Sequence, residues 1–357
     1  MSENVARERP FHAGGTNGRG PSWRTEAPRF ALNRGKPLSS CLDLDRRGGM
    51  LSTRRLGASS HAGEGLRHER DARAYICYSG QMPPPVVLTI AGFDPSSGAG
   101  VTADIKTIAA HGCYGVGCIT ALTVQSTASV RRVETVSPEL VTETLEELRA
   151  DLEISAVHIG MLGSGKIGRA VADFLEKAKL GNVVLDPVIK SSSGRDLIGA
   201  GGVRLLIERL LPLATVITPN VDEAAVLTSL AVSDLEQMRV AVARLHEMGA
   251  ASVVITGGHL EKAVDLLSFA SRTGPQQEVF KSAKLPSNST HGTGCAFSTA
   301  MACHLAQGRG LPEAVLLAKT YVAAAIANAY PLGRGVGPVH HLYRMYQHRR
   351  VATNESA

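Results

Sequence analysis

"TIAGFDPSSGAGVTADIKT", Thr89 to Thr107, changes character twice. It continues an apolar, β-branched run that starts at Val86, breaks into the polar, glycine-rich "GFDPSSGAG" (Gly92–Gly100), then takes on a helical pattern that contains Asp104. Strand, glycine-rich turn and helix make the opening unit of an α/β fold. The turn itself allows two readings. It is an ordinary turn with an N-cap, or it is a place where backbone approaches a ligand closely, which only glycine permits.

The same alternation runs outward through the chain. Strand candidates are "VVLTIAG" (Val86–Gly92), "GVGCITALTV" (Gly115–Val124), "AVHIG" (Ala156–Gly160), "NVVLD" (Asn182–Asp186), "TVITP" (Thr215–Pro219) and "SVVIT" (Ser252–Thr256). The clearest helices lie at Ser137–Asp151, Lys166–Lys179, Gly202–Leu211, Ser233–Met248, Gly294–Gln307 and Leu311–Ala329. Nearly continuous apolar strands separated by helices predict a mostly parallel sheet covered on both faces, a three-layer α/β/α domain. "VDLLSFA" and "EVFKSAK" predict a β-hairpin appended near its end. The domain is assigned to residues 82–346, with a polar tail at 347–357.

Composition narrows the function. The chain has 357 residues and a net charge of +6. Residues 1–81 hold 14 Lys/Arg and 8 Asp/Glu, while the remainder holds 24 of each, so all the excess basicity lies in the N-terminal stretch. The body therefore shows no electrostatic footprint for nucleic acid. No window approaches a membrane span. Six cysteines without CxxC pairs fit free thiols in a reducing cytoplasm. Residues 1–81, rich in Gly, Arg, Ser and Pro, predict a disordered extension. Met82, directly before "PPPVVLTIAGFD", is the candidate natural start, with the upstream residues an over-extended gene start.

Ligands of open parallel sheets bind off the carboxyl ends of the strands. "AGFDPSSGAG", "TVQST", "HIGM", "LDPV", "TPNVDEA" and "ITGGH" all fall there. "GMLGSGKI" (Gly160–Ile167) approaches a P-loop, but Ile167 stands where a hydroxyl would ligate Mg²⁺; a solvated Lys166 in a first helical turn is the plainer reading. Asn220 and Glu223, three apart at a helix start, make either a capping box or a water-mediated Mg²⁺ site. In "THGTGCAFSTA", Gly292, Thr293 and Gly294 can aim N–H groups at a phosphate on the positive end of the following helix. The plain alternative is a glycine-rich helix entry with a buried cysteine.

Taken in order, "TIAGFDPSSGAGVTADIKT", "CITALTVQST", "HIGML", "VLDPVI", "ITPNVDEA", "GGH", "HGTGC" and "GVGPVHH" resemble the bacterial hydroxymethylpyrimidine/phosphomethylpyrimidine kinases of the ribokinase-like family, from about Val86 to Leu342. The resemblance implies a ribokinase-like α/β/α fold and ATP- and Mg²⁺-dependent phosphorylation of 4-amino-5-hydroxymethyl-2-methylpyrimidine, then of its monophosphate. It implies Gln125, Gly92, Ala99, Asp104, Met161 and Val188 as the pyrimidine pocket. Asn220 and Glu223 would serve Mg²⁺ and ATP, with Asp186 near them. Gly292, Thr293 and Gly294 would form the anion hole, with Cys295 at the catalytic position. A homodimer is implied too. Thr256 departs from the lysine that such proteins often carry before "GGH". A thiol at a helix N-terminus is expected to have a lowered pKa and to serve as base. Pyridoxal or pyridoxine kinase activity and a catalytically silent ligand-binding regulator are the competing readings.

Overall fold

The computed structural model describes residues 83–346 apart from 192–193, 200, 259–262, 272–273 and 283–284. Met82, the stretch before it and the tail at 347–357 lie outside the described residues. Among the described residues nine strands form one sheet: β1 Val86–Phe93, β2 Tyr114–Gln125, β3 Val130–Thr135, β4 Ile154–Ile159, β5 Val183–Leu185, β6 Val216–Ile217, β7 Ser252–Gly257, β8 Ala263–Ser271 and β9 Gly274–Ser282. The helices are α1 Gly100–Ala110, α2 Pro138–Asp151, α3 Gly165–Ala178, α4 Gly202–Leu205, α5 Val221–Thr228, α6 Leu235–Glu247, α7 Thr293–Ala306 and α8 Leu311–Ala327.

Strand order is β3-β2-β1-β4-β5-β6-β7-β8-β9. β2, β1, β4, β5, β6 and β7 pair parallel, while β2·β3, β7·β8 and β8·β9 pair antiparallel. β1 carries the chain to β2 on one side, and β4 then falls on its other side. The connections diverge at β1, which makes its carboxyl end a switch point where ligands lodge. The sheet separates two apolar cores. Leu88, Ile90, Val157, Leu185, Val253 and Ile255 face α2, α3, α5 and α6. Val87, Val184, Val216 and Val254 face α1, α7 and α8. Burial on both faces is why these strands read as continuous apolar runs.

Two expectations needed correction. β3 escaped notice because its "VRRVET" exposes Arg131, Arg132, Glu134 and Thr135 at the sheet edge, where charge blunts edge-to-edge pairing. The helix expected at Gly202–Leu211 is not uniform. After α4 it widens into a π turn at Leu206–Leu210 and tightens to 3₁₀ at Leu211–Leu213, where Pro212 enters. The appended hairpin is β8 and β9.

Candidate active site

Asp94 organises the first loop. Its Oδ1 accepts from Ser96 N at 2.8 Å and Ser96 Oγ at 2.7 Å, and its Oδ2 accepts from Gly98 N at 3.2 Å and Ala99 N at 3.0 Å. Burial works to raise its pKa, but hydrogen bonds from His291 and Ser96 outweigh this and hold it below the usual value. The His291 ring bridges to the second glycine loop, with Nε2 at 3.0 Å from Asp94 Oδ2. At Gly292, φ is +79°, and a Cβ there would lie 1.9 Å from the carbonyl oxygen of Gly98. The loop after β1 and the loop before α7 thus touch backbone to backbone. The "GVGPVHH" motif fixes the second loop from behind: His291 N donates to Gly337 O at 3.0 Å and Gly337 N to Asn288 O at 3.0 Å.

Around this seam the structure gathers most of the residues the sequence singled out. The Gln125 amide, at the end of β2, lies 3.2 Å from Thr123 Oγ1 and 3.3 Å from His291 Nε2. Gly92 sits against the Met161 sulfur, which a Cβ would approach to 3.0 Å. Ala99, Met161 and Val188 are each partly exposed. Gly292, Thr293, Gly294 and Cys295 form the entry to α7, and the Cβ position of Gly294 looks toward Asp186 Oδ2 at 3.8 Å. Asp104 is the exception. It is fully buried and receives hydrogen bonds from Thr89 and Thr299 at 2.7 and 2.8 Å, so it supports the site from below and lines no pocket.

Asn220 and Glu223 do form a capping box. Asn220 Oδ1 accepts from Glu223 N at 2.9 Å, and Glu223 Oε2 accepts from Asn220 N at 3.0 Å. Capping does not exhaust Glu223, which is buried beside another acid. Burial and the Asp186 charge push its pKa to about 8. Burial likewise raises Asp186, to about 6, against the pull of His158 and the Ser298 hydroxyl. Two carboxylates held reluctant to ionise are the donor set that a hard divalent cation would relieve. Among the described residues no group of three or more His, Cys, Asp or Glu forms a metal cage; Mg²⁺ needs only one or two carboxylates when phosphates complete its shell.

The Cys295 thiol overturns the expected helix-end effect. Burial raises its pKa well above 9, and the charges of Asp186, Asp104 and Glu223 raise it further. The direction is opposite to the one expected from the positive end of α7. Lys166 is exposed at the start of α3, whose N-cap Ser164 accepts from Ile167 N at 3.3 Å, as the capped-turn reading expects and a P-loop does not. Thr256 lies beside Asn220 through a bridge between strand ends, opposite Asp265 of β8. Asp265 pairs with Lys319 of α8. Cys113, Cys118 and Cys303 are buried free thiols. No helix of the described residues is long and apolar enough to cross a membrane.

Comparison with known proteins now decides between chemistries. The family described as phosphomethylpyrimidine kinase matches residues 94–340. The chain belongs to that family. It is a phosphotransferase with a ribokinase-like fold. The hydroxymethylpyrimidine/phosphomethylpyrimidine kinase of Streptomyces coelicolor is 40% identical over 261 residues, 73% of this chain and 95% of that protein. The thiamine biosynthesis bifunctional protein of Geobacter sulfurreducens is 44% identical over 263 residues, 73% of this chain, which spans 53% of that longer protein. A Bacillus subtilis pyridoxal kinase, solved with ADP, superposes with a TM-score of 0.67 at 34% identity, over 73% of this chain and 99% of that one.

Proposed function

We propose that the chain uses ATP to phosphorylate the hydroxymethyl group of 4-amino-5-hydroxymethyl-2-methylpyrimidine, and then converts the monophosphate to the diphosphate on the way to thiamine diphosphate. The observation that carries this reading is the backbone contact between the loops at Gly98 and Gly292, with Cys295 and the Asp186–Glu223 pair beside it, in a chain of this family. Phosphoryl transfer asks mainly for positioning and for neutralised charge on the transferred group.

Each residue then has a task. The amides at Gly292, Thr293 and Gly294 hold the transferred phosphoryl group at the start of α7. Gln125 offers a donor and an acceptor to the aminopyrimidine, and Gly92, Ala99, Met161 and Val188 shape the space around the ring. Glu223, with Asn220 and Asp186 beside it, would hold Mg²⁺ at the nucleotide, and the metal would neutralise phosphate charge there. Cys295 receives the substrate hydroxyl. The carboxylates beside it hold its pKa up, so it acts as a base once their charges have been offset. Little charge develops on the attacking oxygen in a loose transition state, so proton removal can be late.

Pyridoxal is the second substrate to weigh, because the pyridoxal kinase likeness covers the same share of this chain, 73%, as the likeness to the Streptomyces coelicolor pyrimidine kinase. A silent regulator would have no need of a buried acid pair beside an intact anion loop. A homodimer is supported by the apolar face of β2, where Ile119, Leu122 and Val124 are exposed; sedimentation at a single mass of one chain would refute it. The function is tested by mass analysis of products formed from ATP and the pyrimidine alcohol. Successive gain of two phosphoryl groups is expected, and absence of any phosphorylated pyrimidine would overturn the reading.

A further inference from the structure

Beneath the anion loop runs a buried polar chain that meets the proposed nucleotide side of the site only at Asp186. It links Thr89 of β1, Asp104 of α1, His158 of β4, Thr299 and Ser298 of α7, and Asp186 after β5, all of them buried. His158 and Asp104 have no exposed side-chain surface at all.

Counting protons fixes the state of the ring. Thr89 Oγ1 donates to Asp104 Oδ2 at 2.7 Å, and Thr299 Oγ1 donates to Asp104 Oδ1 at 2.8 Å. His158 Nδ1 therefore faces two acceptors, Asp104 Oδ2 at 3.3 Å and the already donating Thr89 oxygen at 3.3 Å. His158 Nε2 lies 3.2 Å from Ser298 Oγ. That hydroxyl has a single proton, and its own acceptors are Gly294 O at 2.8 Å, Asp186 Oδ2 at 3.1 Å and Cys295 O at 3.3 Å. With Asp104 and Asp186 ionised and the Ser298 proton given to Asp186 or Gly294 O, both ring nitrogens donate.

We infer that His158 is a buried, permanent imidazolium between Asp104 and Asp186, and a positioning residue for phosphoryl transfer. Removing one partner of such an arrangement leaves a buried charge uncompensated. Burial opposes the ring's charge, but Asp104, by charge and by hydrogen bond, and Asp186 favour it more strongly. The chain ends on Ser298, whose hydroxyl reaches both Asp186 and the carbonyl of Gly294. Losing the charge would leave Asp104 without its partner and would loosen the Ser298 contact with the first turn of α7, so the Gly292–Cys295 loop would shift. Glu223 and Cys295 are the other titratable groups in this cluster; both face Asp186. The consequence for turnover rests on the kinase reading, whereas the charge of the ring does not.

The test has two arms on the full chain. In ¹⁵N-histidine NMR of the unliganded protein at pH 7.5, the signal lost in His158→Gln should show both ring nitrogens protonated; a neutral tautomer overturns the inference whatever the enzyme's activity. In the second arm, ADP release is measured with thermal unfolding alongside. His158→Gln should lower kcat by about 10²-fold, the scale of a displacement near 1 Å, and His158→Lys, which keeps a cation, should recover at least tenfold of that loss at equal or lower thermal stability. Equal turnover of the two variants, or full activity in His158→Gln, overturns the positioning role. If the wild-type chain turns over no pyrimidine, the functional reading fails while the NMR arm still decides the charge.

Discussion

Replacing Gly292 by alanine tests the seam between the two glycine loops, and the protein contains its own control. Gly292 and Gly308 share a φ of +79°. Alanine at either position pays the left-handed strain of about 1–2 kcal/mol. At Gly308 a Cβ would meet nothing within 4 Å, whereas at Gly292 it would lie 1.9 Å from Gly98 O, against a floor of 3.0 Å for real Cβ contacts. The loops must therefore part by about 1 Å at the proposed anion site. A displacement of that size costs about 10²-fold in rate, or about 2.7 kcal/mol of transition-state stabilisation. The assay is steady-state ADP release with thermal unfolding on both variants. Gly308→Ala should lose the strain alone and keep kcat/KM; Gly292→Ala should lose more stability, from the added clash, and about two decades of kcat/KM. Unchanged kcat/KM in Gly292→Ala would refute the argument.

Three other outcomes are expected. Glu223, raised to about 8 against an ordinary 4.5, gives the folded state more bound protons than the unfolded state between those values. Stability of the ligand-free protein should then fall as pH rises through that window, by at most about 1.4 kcal/mol per pH unit; Glu223→Gln should flatten the decline, and a wild-type profile as flat as the variant's would contradict the shift. Cys295→Ala should lower turnover by about 10²–10⁴-fold if the thiol acts as base, with Cys295→Asp retaining activity; if alanine is near normal, the residue only packs. Asn220→Ala removes an N-cap and should cost about 1 kcal/mol in chemical denaturation, together with a higher Mg²⁺ requirement. Unaltered Mg²⁺ dependence would leave Asn220 as a cap and nothing more.

The sheet's core was readable because strands buried on both faces need continuous apolar runs, and Val86–Phe93 or Ser252–Gly257 supply them. β3 was not readable, since an exposed edge strand has no apolar signature to offer. Glycine loops at strand ends located the site, and their quoted residues meet in space. What sequence could not show was the partner across the seam. Nothing in "THGTGC" says that His291 reaches Asp94, or that a Cβ at Gly292 would strike Gly98. Asp104 illustrates the converse: its motif placed it correctly in the chain, but only packing reveals that it serves His158 and two threonines and no ligand. The Cys295 error has the same origin. A helix end is visible in sequence, while three carboxylates arriving from α1, α5 and the end of β5 are not.

The most direct test of the central claim is the ratio of kcat/KM for 4-amino-5-hydroxymethyl-2-methylpyrimidine to that for pyridoxal, measured on the same preparation with ATP and Mg²⁺. A ratio well above one, with phosphorylated pyrimidine as the product, is the result that the Gln125 pocket and the family relationship predict. A ratio below one would make the protein a pyridoxal kinase on the same scaffold, and no turnover of either would contradict the kinase account.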